Sequence, residues 1–323
     1  PVVLKLIHSH LMDDGAAVRS FVREAKLAAR LVHPNIVQVV DFGEHVGQYL
    51  TVLEYVHGHD LGVFSRYLAE TGRPLSVEHA SFVVGEVLRG LEFAHGLRNE
   101  TGQPLGLVHR DISPHNVLVN VDGQVKLTDF GVARIRTEVT RSGASDLKGE
   151  LAYMAPEQVS GGVVDHRTDL FAVAIVLYEI LAGARLFASE HEAQTIMRVS
   201  KADVPDVRGV RPDLPAEVSQ LLSRALARNP EDRYQDAGAL ASDVRKLLGG
   251  TPREDVEHSF KEMITQTLDE PGFIATAGPL VELARVLEGE PLVVPGLDKR
   301  RRRAAARAAG EAARKRGLSL PAL

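Results

Sequence analysis

There is no cysteine among the 323 residues, so the chain can hold neither a disulfide nor a thiolate-bound metal. Long apolar runs are missing as well. The longest, within residues 170–182, is too short to span a bilayer. No signal-peptide pattern is visible, and neither a Gly-x-Gly-x-x-Gly dinucleotide fingerprint nor a Walker-type phosphate loop occurs. These absences argue against a disulfide-stapled secreted module, a helical membrane protein, a dinucleotide-dependent oxidoreductase and a P-loop nucleotidase. The remaining composition, 44% hydrophobic and 25% charged, is ordinary globular usage. It leads to the expectation of a soluble intracellular enzyme with one large domain, its subdomains and a tail.

What is present is concentrated in two short stretches: His109-Arg110-Asp111-Ile112-Ser113-Pro114-His115-Asn116 and Asp129-Phe130-Gly131. A lone Asp in such a setting is usually a turn or helix cap. Two acids and an amide in this order and spacing are far harder to obtain by accident. Between them, Val117–Asn120, Asp122-Gly123 and Val125–Thr128 read as strand, tight turn, strand. A hairpin of that length returns Asn116 and Asp129 to one end, within reach of one metal site. Their amide and carboxylate oxygens are hard ligands of the kind Mg²⁺ prefers, and Asp111 is suited to take a hydroxyl proton. That set of groups meets the demands of phosphoryl transfer from metal-bound ATP, which needs positioning and charge neutralisation more than covalent work.

Periodicity supplies the frame. Residues 2–7, 36–42 and 48–54 are short β-branched runs separated by turns and read as strands. Residues 16–31 carry Ala17, Phe21, Ala25, Ala28 and Leu31 at helical steps, and His33-Pro34 stops that helix. Beyond residue 60 the pattern is mostly helical, over about 60–70, 76–97, 167–182, 215–227 and 236–248. Segment 167–182 is apolar nearly all round, which predicts burial on most sides. A small strand-rich part and a larger helical part imply two unequal lobes with a ligand cleft between them.

The motifs resemble those of the eukaryotic-like Ser/Thr protein kinases of bacteria, over residues 2 to about 249. The resemblance implies an α+β, bilobal fold with a small strand-rich N-lobe over 1–56 and a large helical C-lobe over 57–249. It implies transfer of the ATP γ-phosphate to protein Ser or Thr hydroxyls, with ATP and Mg²⁺ required. Asp111 is then the catalytic base, flanked by Arg110. Lys5, in Val2-Val3-Leu4-Lys5, neutralises the α- and β-phosphates, and Glu24 pairs with it. Leu53 is the gatekeeper, the backbone of Glu54 and Val56 meets the adenine edge, and Leu118 joins the same nucleotide site. Asn116 and Asp129 hold the metal. The resemblance also gives scaffold roles to Asp169, tying down the catalytic-loop backbone, to Glu157 paired with Arg233, and to His109 packed under Phe130.

Departures from the family pattern carry information too. A glycine-rich hairpin normally precedes the lysine strand, whereas this chain opens with Pro1 at that strand. The reading is therefore of an amino-terminally truncated kinase that, as given, binds ATP poorly. The alternative is a pseudokinase or truncated scaffold that docks partners without catalysis. Ser113 stands where a Lys is usual, and a neutral hydroxyl is the weaker donor. Glu150 stands where Thr is usual, which weakens the case for Ser/Thr specificity. Thr137, Thr140, Ser142 and Ser145, in the polar loop 132–148, are candidates for autophosphorylation, held through Arg110.

The histidine pairs His8/His10 and His57/His59 lack companions that would complete a metal site, and read as surface or turn residues. Residues 250–323 form a helical, partly disordered tail with helical stretches to about 268 and over 279–288. Segment 299–316 sets nine basic residues against the single acid Glu311. It reads first as a solvated basic tail and second as a contact for an anionic membrane surface. No nucleic-acid partner is expected, since no aromatics interleave the charges. The expected location is cytoplasmic, with room for a membrane anchor beyond residue 323. The oligomeric state and the protein substrate are not written in these residues.

Overall fold

The computed structural model describes residues 1–6, 15–45, 48–130 and 151–273. Contacts gather the chain into two compact units, one holding 1–33 and 37–56, the other 34–36 and 57–278. Their make-up is that of the expected α+β kinase-like fold: a small strand-bearing unit and a larger helical one.

In the first unit, β1 (Val2–Leu6), β2 (Val39–His45) and β3 (Gln48–Glu54) form an antiparallel sheet in the order β1-β3-β2. Lys5 faces Thr51, and Val2 faces Glu54, in that ladder. A bulge between Val39 and Asp41 shifts the β2–β3 register. Helix α1 (Gly15–Ala28) packs on β2, with Ala25, Leu31, Leu50 and Val52 buried.

β2 starts three residues later than the sequence suggests, and the reason is a competing partner. Ile36, 1% exposed, bridges Leu127 of the second unit. Asn35 takes the Leu127 N–H on its carbonyl and donates its side-chain amide to the Val125 carbonyl. Residues 34–36 are thus spent on the second unit before the first sheet can claim the chain.

The second unit contains a small antiparallel sheet, β4 (Gly58–Asp60), β5 (Val117–Asn120) and β6 (Val125–Leu127), in that order. Its helices are α2 (Leu61–Glu70), α3 (Val77–His95), α4 (Pro156–Ser160), α5 (His166–Ala182), α6 (Glu192–Lys201), α7 (Ala216–Ala225), α8 (Ala237–Lys246) and α9 (Arg253–Leu268). Acidic and hydroxyl caps fix several starts: Asp60 accepts from Val63 N–H, Ser76 from His79 N–H and Asp236 from Ala239 N–H. Helix α5 is buried from Thr168 to Leu181, as its all-round apolar sequence requires. No helix among the described residues is long and apolar enough to cross a membrane.

Three elements were not anticipated. β4 falls where Gly58 reads as a turn. That glycine is required by the pairing itself, since a Cβ there would lie 1.9 Å from the Val119 carbonyl oxygen. His59 is consequently a strand residue, set edge-on to Phe273 at 5.1 Å. α4 is a single short turn, and α6 is polar along most of its length with only Thr195 and Val199 buried. Helix α9, anticipated as part of a tail, packs on α3 with Val256, Phe260 and Ile264 buried. His8, His10, Glu150, the loop hydroxyls of 132–148 and everything after 273, including 279–288 and 299–316, lie outside the described residues.

Candidate active site

The loop His109–Asn116 is held by one carboxylate. Asp169, 1% exposed at the start of α5, accepts the His109 N–H on Oδ2 and the Arg110 N–H on Oδ1, each at 2.8 Å. Oδ2 is also 2.8 Å from His95 Nε2 on α3. This grip holds Arg110 at φ 67°, a left-handed conformation costly for a residue with a Cβ. Asp129 stands at φ 58°, so of the three positive-φ non-glycine residues among those described, the third being Ala202, two fall in the candidate site. Strain of this sort persists where surrounding contacts over-determine it.

His109 joins the two loops. Its ring is fully buried and its pKa is lowered by burial, which the nearby carboxylates of Asp169 and Asp111 oppose without overcoming. A neutral ring with Nε2 2.9 Å from the Thr128 carbonyl must carry its hydrogen there and donate. Nδ1 is then the acceptor for the Asp111 N–H at 3.3 Å. The same ring packs against Phe130, centroids 4.5 Å apart. One imidazole thus sets the backbone before Asp129 and the backbone at Asp111.

The hairpin closes between Asn116 and Thr128, with Asp129 next along the chain. Thr128 N–H donates to the Asn116 carbonyl at 2.9 Å, so Asp129 follows directly on the ladder position opposite Asn116. The Asn116 amide nitrogen donates to the Asp111 carbonyl at 2.6 Å and to Asp111 Oδ2 at 3.0 Å. That orientation leaves Oδ1 as the amide atom available to a cation. Together with the Asp129 carboxylate it makes a donor set that fits Mg²⁺, which commonly takes one or two protein oxygens and draws the rest from water and phosphate. Among the described residues no group of three or more His, Asp or Glu is placed to hold a metal ion.

The remaining residues singled out by the sequence are placed unit by unit. Leu118 is half-buried in β5, opposite Asp60. In the first unit Lys5 is exposed on β1, and Leu53, Glu54 and Val56 are half-buried at and beyond the end of β3. The Glu54 N–H is committed to the Gln38 carbonyl at 2.9 Å, so an adenine contact at Glu54 would use its carbonyl. Glu24 lies in α1, but its side chain is outside what the structure describes, as is Gly131.

The scaffold pair is explicit. Arg233 donates through both terminal nitrogens to Glu157, each at 2.8 Å. Thr168 Oγ1 donates to the same carboxylate at 2.8 Å. Sequence reasoning missed His95, the Asn35–Glu86 hydrogen bond of 2.9 Å and the Asp60–His115 contact of 3.0 Å. Only Asp60 had a local signal, as an acid directly before a helix.

A family model described as Protein kinase domain matches residues 1–244. The tyrosine-protein kinase MasK of Myxococcus xanthus is 39% identical over 247 residues, covering 76% of this chain and 38% of its own. The serine/threonine-protein kinase PrkC of Bacillus subtilis is 32% identical over 244 residues, covering 76% of this chain and 36% of its own. The chain therefore spans little more than a third of the length of these relatives. Among solved structures, the PknI kinase domain of Mycobacterium tuberculosis aligns with a TM-score of 0.59 at 31% identity, covering 77% of this chain and 85% of that one.

Proposed function

The chain belongs to the protein kinase domain family, and from that premise we propose that it transfers the γ-phosphoryl group of ATP to Ser or Thr hydroxyls of protein substrates. Protein kinases generally use ATP and Mg²⁺. The observation that carries the reading is the convergence of Asp111, Asn116 and Asp129 through direct hydrogen bonds and one neutral histidine.

Asp111 takes the acceptor hydroxyl's proton on its carboxylate. The Asn116 amide, bonded to Oδ2 of that carboxylate, fixes its rotamer. Asn116 Oδ1 and the Asp129 carboxylate would hold Mg²⁺, which would supply positive charge against the phosphate oxygens. In the first unit, Lys5 neutralises the α- and β-phosphates with Glu24 as its partner, Leu53 is the gatekeeper and the backbone of Glu54 and Val56 meets adenine. Leu118, at the nucleotide, and Arg110, beside the catalytic Asp, complete the set. ATP dependence places this unit on the cytoplasmic side of any membrane, where segment 299–316 is suited to an anionic lipid surface.

The acceptor has a second reading, because the relative at 39% identity is named a tyrosine-protein kinase. Ser or Thr is preferred on the number of Ser/Thr-named relatives, PrkC and PknL among them. Ser113 offers no lysine to choose between the two.

Incubating the chain with γ-labelled ATP, Mg²⁺ and a mixed protein substrate, then resolving the phosphoamino acids, separates these readings. Asp111→Asn is expected to lower transfer by about 10²–10⁴-fold while nucleotide still binds. Label on phosphotyrosine alone would reverse the acceptor assignment. Undiminished transfer by Asp111→Asn would remove the role given to that residue, and no transfer by the unaltered chain would favour a non-catalytic scaffold.

A further inference from the structure

The family match stops at residue 244, yet the helical unit does not. Helix α9 and the residues after it lie against the hairpin that bears Asn116 and Asp129, and touch its supports at three separated points. At the first, Arg253 reaches Glu86 at 3.0 Å. Glu86 accepts from Asn35, which in turn holds both Val125 and Leu127 of β6.

At the second point, Lys261 meets the hairpin turn. Its Nζ lies 3.0 Å from Asp122, and its Cα lies 3.1 Å from where a Cβ on Gly123 would stand. The ion pair is exposed and contributes little by itself. The close backbone approach is the firmer contact, and Gly123, at φ 76°, is what permits it.

At the third point, Phe273 is 1% exposed and meets His59, Phe64 and Tyr67 edge-on, with centroids 5.1, 5.8 and 5.2 Å away. His59 pairs with Val119 of β5. The next residue, Asp60, contacts His115, the neighbour of Asn116. Glu270 fastens the same segment, accepting two hydrogen bonds from Arg73 and one from Tyr67.

We propose that Lys261 and Phe273 are positioning residues, holding the turn of the hairpin and its β4 edge so that Asn116 and Asp129 keep one spacing. The role of that spacing rests on the phosphotransferase reading above; the mechanical link does not. The segment behaves as an added buttress of the catalytic hairpin rather than as a tail, and its reach past residue 244 makes it a part of this chain that the family match does not include.

Hydrogen exchange on the full chain tests the link without requiring catalysis. Two variants serve: Phe273→Leu, which keeps an apolar side chain but loses the edge contacts, and Lys261→Asp, a surface change. Phe273→Leu is expected to speed exchange of the amides of 117–120 and 125–127 by about three- to tenfold, the worth of one or two aromatic pair contacts; Lys261→Asp, which sets two carboxylates face to face at the exposed turn, is expected to do so by about threefold or less. Amides of α5 should keep their protection. A hairpin that exchanges as before while only α9 loosens would overturn the proposal. So would equal loss across α5, which would make the segment a general stabiliser. In the transfer assay Phe273→Leu is expected to need about three- to tenfold more Mg²⁺ for half-maximal rate, and Lys261→Asp about threefold or less, with the rate recovered at saturating Mg²⁺. Absence of any transfer by the unaltered chain would remove the phosphotransferase reading and leave the exchange result to decide the buttress.

Discussion

Arg233 carries five N–H donors, and the fold supplies acceptors on every side. Nε reaches the Ala227 carbonyl at 2.7 Å, Nη2 the Arg228 carbonyl at 2.9 Å, and both terminal nitrogens reach Glu157. The guanidinium also lies over the Phe171 ring at 4.6 Å. Burial alone would push the Glu157 carboxyl up; the Arg233 guanidinium outweighs that and holds it below its ordinary value. A carboxyl depressed in the fold adds stability above its unfolded pKa of about 4.3, and that stability is lost as pH falls through the depressed value. Arg233→Leu strands the carboxylate, at an expected cost of about 3–5 kcal/mol at neutral pH. It should also reverse the sign of this contribution. Burial, then opposed only by the Thr168 hydroxyl and a backbone N–H, raises the Glu157 pKa, so the group loses stability as pH rises from about 4.3. Urea unfolding of both forms across pH 3–7, compared with the Glu157→Gln/Arg233→Leu double variant, reads the difference; parallel curves for the unaltered chain and Arg233→Leu would refute the argument. Motif residues such as Asp111, Asn116 and Asp129 were legible because each sits in a short contiguous signature. His95 and Glu86 were not, because their partners Asp169 and Asn35 are distant in sequence and no local pattern announces them.

At the scale of elements, pattern strength decided what the sequence could reveal. Helix α5 is apolar on all faces and the β5–β6 hairpin carries Asp-Gly, so both were readable. β4 is three residues long, and α6 is mostly polar and buries only Thr195 and Val199; the first is too short and the second carries too few apolar residues to stand out. Short β4 is nonetheless central to the second unit. It pairs with β5 from Gly58↔Asn120 to Asp60↔Leu118, and Asp60 caps α2 while contacting His115. The element depends on Gly58, because a side chain there meets backbone on β5: the Val119 carbonyl oxygen at 1.9 Å and the Asn120 Cα at 2.6 Å. Backbone cannot swing aside as a flexible side chain can, so the strands must part. Gly58→Ala is therefore expected to destabilise by about 1–3 kcal/mol, visible as a lower denaturation midpoint. Gly85→Ala, where a Cβ meets nothing within 4 Å on α3, is the control and should be neutral or slightly stabilising. Equal midpoints for the two variants would show that β4 yields without cost.

For the molecule as a whole, the proposed nucleotide roles fall to residues of each compact unit, Lys5, Glu54 and Val56 in one, Asp111, Asn116 and Asp129 in the other. Each unit's fold was legible from periodicity. The allotment of Asn35 and Ile36 to the second unit was not, because strand-forming residues suit either sheet and only the tertiary contacts with Val125 and Leu127 decide. A nucleotide that engages groups in both units must protect both at once. A ligand bound to the folded form at 100 times its Kd adds about 2.7 kcal/mol, and that gain reaches only the segments whose opening releases the ligand. Saturating Mg-ADP is thus expected to slow amide exchange in β3 of the first unit and in 117–127 of the second together. Lys5→Ala should raise the nucleotide concentration needed for this by roughly tenfold or more, since a hydrogen bond to a charged group is worth about 1.5–3 kcal/mol. The two segments should still respond in step, because the variant weakens one shared ligand rather than dividing the site. Protection confined to the second unit, indifferent to Lys5→Ala, would show that the β1 lysine takes no part and that the nucleotide is held by the helical unit alone.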